Sequence, residues 1–170
     1  SSSREKSNPT KEQIIAVHQG FVEVSPPEVK ARGTFAYTNF GKAGKVVKDT
    51  RLQDIDTRLI SFANNVHLNI KKTTFAKNTV QVSVRVGHGN LDFPETPFGL
   101  SSVMNAFSNG GLEKHSVEDM RALLQGKQVS TRFTSSGTSF GGAYQTVPQD
   151  LELQLQVTAA YLTAPGYRPE

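Results

Sequence analysis

"RLISFANNVHLNIKKTTFAKNTVQVSVRVG", residues 58–87, holds the period-two patterns that decide the fold class. Val80, Val82, Val84 and Val86 alternate strictly with polar neighbours, the pattern of a strand with one buried face. Upstream, two shorter strand patterns flank Asn64-Asn65, and Val66, Leu68 and Ile70 alternate in the second. An Asn pair tolerates the left-handed backbone of a tight turn, so a hairpin is predicted there. "GHGN", residues 87–90, has two glycines but neither the third glycine nor the following helix of a dinucleotide-binding motif. It reads as a turn.

Downstream the periodicity changes. In "FGLSSVMNAFSNGG", residues 98–111, Leu100, Val103, Met104 and Phe107 follow helical i, i+3, i+4, i+7 spacing. Ser102, Asn105, Ala106 and Asn109 point nearly opposite, giving a helix with a small, polar outer face. Ser116 and Asp119 approximate a capping box for a short helix through Leu123 and Leu124, which should stop at Gly126. "QVSTRFTS" and "SFGGAYQT" read as two strands joined around Gly137. Thr146 or Val147 then caps a last helix with Pro148 in its first turn. Leu151, Leu155 and Leu162 form its expected apolar stripe, with Leu153, Val157 and Tyr161 beside it. Strands, helices, strands and a final helix predict an α+β two-layer sandwich, a mainly antiparallel sheet with helices packed on one face.

Residues 1–50 read differently. Pro9, Pro26 and Pro27 interrupt them and Lys42, Lys45 and Lys48 make them basic, with little sustained periodicity. The expected organisation is a linker or arm over 1–50 and a folded domain over 51–170. The 170 residues allow one domain and a linker, and 36% hydrophobic with 20% charged residues are globular values. A net charge of +4 from 19 basic and 15 acidic residues is too mild for a nucleic-acid footprint, and no aromatic-plus-basic stripe accompanies it. The chain has no cysteine, which excludes disulfides, thiolate zinc sites and a cysteine nucleophile. No apolar run approaches the roughly 18 residues of a membrane span, and "SSSREKSNPT" lacks the apolar core of a signal peptide. The abrupt ends suggest a piece of a longer protein.

Few residues offer chemistry. His18, His67, His88 and His115 are scattered over the arm, a strand, a turn and a helix start, and no two have the i, i+4 spacing that brings imidazoles to one metal. They read as surface or turn histidines. In "FTSSGTSFGG", Ser135 and Ser136 sit where a hairpin is expected and not between glycines at a strand-to-helix turn, so a nucleophile elbow does not fit. The pairs Asp54 and Asp56, and Glu118 and Asp119, lack a burial argument that would perturb their pKa values and read as solvated.

Taken together, "ISFANNVHLNIKKTTFAKNTVQVSVRVGHGNLDFPETPFGLSSVMNAFSNGG" resembles the opening of a pitrilysin/insulinase-type zinc metalloprotease domain. Such domains begin with a strand–"NG"–strand hairpin and a long alternating strand that ends in a glycine turn. A "G-L-A-H-x-x-E-H" helix follows, whose inverted H-x-x-E-H carries two zinc-binding histidines and a general-base glutamate. The tail "VPQDLELQLQVTAAYLTAPGYRPE" is similar to the later helix of bacterial members, so the resemblance runs from about Arg51 to Glu170. Gly99 and Leu100 match the motif. Its first histidine falls on Ser102, its glutamate on Asn105 and its second histidine on Ala106.

The resemblance therefore implies a degenerate copy. Proteases of this family pair a catalytic and a degenerate half around a substrate chamber, and this chain is similar to the degenerate, C-terminal half. On that reading the chain has no catalytic residue, no metal ligand and no cofactor, since zinc belongs to the catalytic half. Its partners are that half and a peptide substrate, with no nucleic acid and no membrane span. Ser102, Asn105, Ala106 and Asn109 would face the chamber, and the periplasm is the expected compartment. Two other classes compete: a stand-alone binding or assembly module of the same fold, and a hydrolase with an unrecognised site. An intact H-x-x-E-H upstream in the parent chain separates the protease-half reading from the stand-alone module.

Overall fold

A computed structural model describes residues 33–89 and 107–168. The chain divides into two compact units between Arg32 and Gly33, and every described residue belongs to the second. Among the described residues, six strands, β1 (Val46–Leu52), β2 (Thr57–Phe62), β3 (His67–Lys71), β4 (Val80–Val86), β5 (Thr134–Ser135) and β6 (Phe140–Thr146), form two three-stranded sheets. Helix α1 (Val117–Leu124) precedes β5, and a 3-10 turn (Pro148–Asp150) leads into α2 (Leu151–Thr163). Every strand pair is antiparallel. The α+β, antiparallel class read from the periodicity is the observed one.

The first sheet has the order β1-β2-β3. Its β2–β3 hairpin turns at the expected Asn pair: Asn65 takes φ 64°, and the amide of Phe62 donates to the Val66 carbonyl at 2.9 Å. Strand β1 was assigned mostly to the arm, and it crosses residue 50. It carries little apolar alternation because cross-strand ion pairs organise it. The tetrapeptide Asp-Thr-Arg-Leu occurs twice, at 49–52 and 56–59. In the antiparallel register Arg51 lies directly opposite Arg58, a like-charge pairing that is unfavourable alone. Each copy relieves the other: Arg58 Nε donates to Asp49 at 2.9 Å, and Arg51 Nε to Asp56 at 3.2 Å. The guanidinium hydrogen bonds hold both carboxyls below their ordinary range. These contacts are fully solvated, so they set register more than stability.

The second sheet has the order β4-β6-β5 and one wet face. Val80, Val82 and Val84 are half-buried opposite Thr146, Tyr144 and Gly142, whereas Gln81 and Ser83 face solvent opposite Gln145 and Ala143. The buried core is Phe107, Leu112, Met120, Phe133, Val157, Ala160 and Tyr161. Four rings meet there: Phe107 stands edge-on to Phe133 at 5.2 Å and to Phe140 at 5.5 Å, and tilts against Tyr161 at 6.0 Å. Helix α1 starts with the expected capping box. The Asp119 amide donates to Ser116 Oγ and the Ser116 amide donates to Asp119 Oδ2. Gly126 follows its end at φ 77°.

Two expectations fail in the C-terminal third, and one cause covers both. Of "QVSTRFTS", only Thr134–Ser135 pairs as a strand. Earlier in the run, side chains satisfy the backbone in place of a ladder. The Gln128 amide donates to Asp150 Oδ2 at 2.9 Å, the Ser130 amide to Gln154 Oε1 at 2.8 Å and the Phe133 amide to Ser108 Oγ at 3.2 Å. Gln154 also donates to the Ser130 carbonyl at 3.0 Å and to Thr158 Oγ1 at 3.1 Å. That clamp turns α2 so that Gln154, Val157, Thr158 and Tyr161 point inward, at i, i+3, i+4 and i+7. The expected leucine stripe lies to the side: Leu155 is 47% and Leu162 37% exposed. Before α2, Val147 caps only the 3-10 turn, with Pro148 in its first positions and no side-chain hydrogen bond.

Replacing Gln154 by leucine leaves both backbone groups of Ser130 unpaired, at an expected cost of about 2–4 kcal/mol. Leu155→Gln should change stability by less than about 0.5 kcal/mol. Urea denaturation with an unchanged slope checks both; the reverse ranking would mean that the leucine stripe is the buried face.

Candidate functional site

Of the residues singled out from the motif, Ser102, Asn105 and Ala106 lie outside the described residues. The helical stretch at 107–109 carries the remaining one, Asn109. Phe107 belongs to the apolar stripe and is 7% exposed within the ring cluster. Asn109 follows two residues later, about 200° further around the helix, and is exposed. Ser108 between them is half-buried and accepts the Phe133 amide. Within 107–109, then, Phe107 packs and Asn109 meets solvent, while Leu100, Val103 and Met104 of the expected stripe lie outside the described residues.

The helix stops in a tight reversal. Gly111 takes φ 62°, and a Cβ there would stand 2.7 Å from the His115 carbonyl oxygen. Leu112, fully buried, donates to His115 O at 2.7 Å and accepts the His115 amide at 3.1 Å. The Gly166 amide donates to the Gly111 carbonyl at 3.0 Å, tying the chain beyond α2 to the same turn.

The other candidates occupy structural positions. His67 is exposed on β3, with Nδ1 3.0 Å from Ser61 Oγ, and His88 is exposed in the glycine turn. His18 lies outside the described residues. His115 is half-buried, and its Nε2 accepts the Ala36 amide at 2.9 Å, a contact 79 residues apart that spacing could not reveal. Ser135 ends β5, and Ser136 closes the hairpin turn by donating from its amide to Ser139 O at 2.8 Å and from Oγ at 3.0 Å. Asp56 is paired with Arg51, and Asp119 caps α1.

Among the described residues, no three His, Asp or Glu side chains stand together as a metal cage. A cleft of about 190 Å³ opens on the second sheet, lined by Ser83, Arg85, Thr134, Ser136 and Ser139 over the flat backbone of Gly141. It offers hydroxyls and one guanidinium, which suit hydrogen bonding to peptide carbonyls or carboxylates. Its lining holds no carboxylate or imidazole to serve as a general base. Burial pushes the Tyr144 phenol up to about 12, so it remains neutral across the working range and offers no acid–base chemistry.

Comparison with known proteins bears on the fold. No protein-family model and no curated protein sequence matches the chain. Among solved structures, it superposes with a TM-score of 0.71 on a mutant of the ferredoxin protease FusC in complex with Arabidopsis ferredoxin. That match has 12% identity and covers 96% of this chain. A second match, with TM-score 0.70 and 15% identity over 92% of this chain, is the periplasmic protease PqqL from Escherichia coli. Both are pitrilysin-family proteases. The chain spans about 18% of the length of either protein. What it shares with them is the fold.

The contrast between helix faces has a measurable consequence. Phe107→Ala should cost about 3–5 kcal/mol by emptying the ring cluster, and Asn109→Ala less than about 0.5 kcal/mol. Thermal or urea unfolding of both variants reads the difference. A large loss in Asn109→Ala would place that face against protein.

Proposed function

We propose that this chain is a non-catalytic part of a pitrilysin/insulinase-type zinc metalloprotease, one that supports the catalytic half and helps enclose a peptide or protein substrate. The observation that carries the reading is the shared fold with these proteases, and it is supported by the sequence resemblance, in which Ser102, Asn105 and Ala106 stand where the motif has histidine, glutamate and histidine. The donor chemistry does not fit zinc. A methyl group has no lone pair, a neutral serine hydroxyl is a poor replacement for imidazole, and an amide cannot take a proton from a metal-bound water. No step through a metal is therefore derived for this chain.

The exposed Asn109 and the predicted outer positions Ser102, Asn105 and Ala106 would then line the chamber as a small polar wall. The hydroxyl-rich cleft beside Arg85 adds peptide-compatible donors on another surface. The periplasm is the compartment we assign, supported by one structural neighbour being a periplasmic protease.

The test is the zinc content of the purified chain after metal loading and desalting, read by mass spectrometry. Less than about a tenth of an equivalent is expected, because tight zinc sites need three or four nitrogen, sulfur or carboxylate ligands. One firmly held equivalent would overturn the assignment and place ligands among residues given structural roles above.

A further inference from the structure

Residues 33–40 have no strand assignment, yet they do not stand free of the domain. Phe35 and Tyr37 are half-buried against the core, while their neighbours Thr34, Ala36 and Thr38 are exposed. Their contacts converge on one turn. The His115 ring stacks on Phe35 at 5.6 Å and 18° and meets Tyr37 edge-on at 6.0 Å. The Lys114 amide donates to Tyr37 Oη at 2.9 Å, and Lys114 Nζ lies 5.5 Å from the centre of the Tyr37 ring. Between the two rings, the Ala36 amide donates to His115 Nε2 at 2.9 Å. The receiving turn is rigid, closed by the paired Leu112–His115 backbone bonds and by Gly111, which has no space for a side chain.

We propose that residues 33–40 form a strap docked on the domain by neutral His115, and that protonation of this imidazole releases it. The chemistry is that of an acceptor turned donor. With its proton on Nδ1, the ring presents a lone pair to the Ala36 N–H; an imidazolium presents an N–H there, so the bond is lost and two donors face each other. Stacking of the imidazolium on Phe35 offsets only part of that loss, because the half-buried ring must also carry its charge out of water.

The charged groups around the ring come from three places. Asp119 on α1 favours protonation, while Arg168 beyond α2 and Lys114 in the turn oppose it. Burial is the largest influence and also opposes it, so the docked pKa lies below the ordinary 6.5. The direction of the switch follows. Above pH 6.5 docked and released states are both neutral, and docking is at full strength. Below it the released strap leaves a histidine that takes up a proton while the docked one resists, so docking weakens as pH falls. From pH 7.5 to 5.5 the docking equilibrium should shift toward release by up to about tenfold.

Amide hydrogen exchange in the full chain, followed by NMR, reads this directly. The protection factor of Ala36, corrected for intrinsic exchange, should fall by up to about tenfold between pH 7.5 and 5.5, relative to Tyr144 in β6. The fall should set in as the pH drops through the ordinary imidazole value of 6.5, above the His115 titration seen in the same sample, and should level off once the docked ring is itself protonated. In His115→Gln the side-chain amide supplies an oxygen acceptor that does not titrate, so the fall should disappear. Three results would each overturn the proposal: Ala36 protection that keeps pace with Tyr144 across the range, a fall that sets in only below the His115 titration, or a fall that persists in His115→Gln.

Discussion

The carboxamide of Gln154 is the contact on which the C-terminal half of this fold depends. Residues 128–133 run extended beside α2 with no strand partner for most of their length, and buried backbone groups left unpaired are costly. A planar amide satisfies one donor and one acceptor of Ser130 at once and donates to Thr158 besides. Only with that run held does Phe133 enter the core, where it stacks on Phe140 at 5.5 Å and meets Phe107, Tyr144 and Tyr161. The polar clamp and the aromatic cluster are thus one arrangement: the first determines where the second can form, and burial of the rings supplies most of the driving force.

The two sheets obey different physics. The β4-β6-β5 sheet is organised by burial, with one face toward the core and one toward water. The β1-β2-β3 sheet buries only Ile60, and its β3 strand is exposed throughout. Its register rests instead on ladder hydrogen bonds and on the reciprocal Asp49–Arg58 and Arg51–Asp56 pairs. Those pairs need both carboxylates ionised. Because their pKa values are lowered, acid removes this contribution only as the pH falls through and below the ordinary carboxylate value of 3.8.

Much of this was legible in the sequence, and the exceptions share a reason. Strand β4, the Asn64-Asn65 hairpin, the glycine turn and the Ser116–Asp119 capping box follow from local rules of periodicity and turn chemistry, and each is where those rules put it. Strand β1 escaped because its signal is a repeated Asp-Thr-Arg-Leu, which makes sense only once the two copies are laid antiparallel. The inward face of α2 escaped because hydrophobicity ranks glutamine below leucine, and only the partners on Ser130 and Thr158 reverse that order. His115 sits in a turn, one of its two expected places, but its acceptor role is invisible in the sequence for the same reason: it exists only through Ala36, 79 residues away. Periodicity reports how a segment meets solvent; it does not report polar partners that lie far off in the chain.

The same distinction applies at residues 107–109, which follow the stretch that resembles a zinc motif. Its apolar stripe ends in Phe107, which sits inside the ring cluster, while Asn109 on the opposite side is exposed. The positions of Ser102, Asn105 and Ala106 share the periodicity of Asn109. On the proposed reading, the positions that hold the fold and those where a motif would do chemistry fall on opposite sides of the helical period. A TM-score of 0.71 at 12% identity therefore speaks for the fold and not for activity.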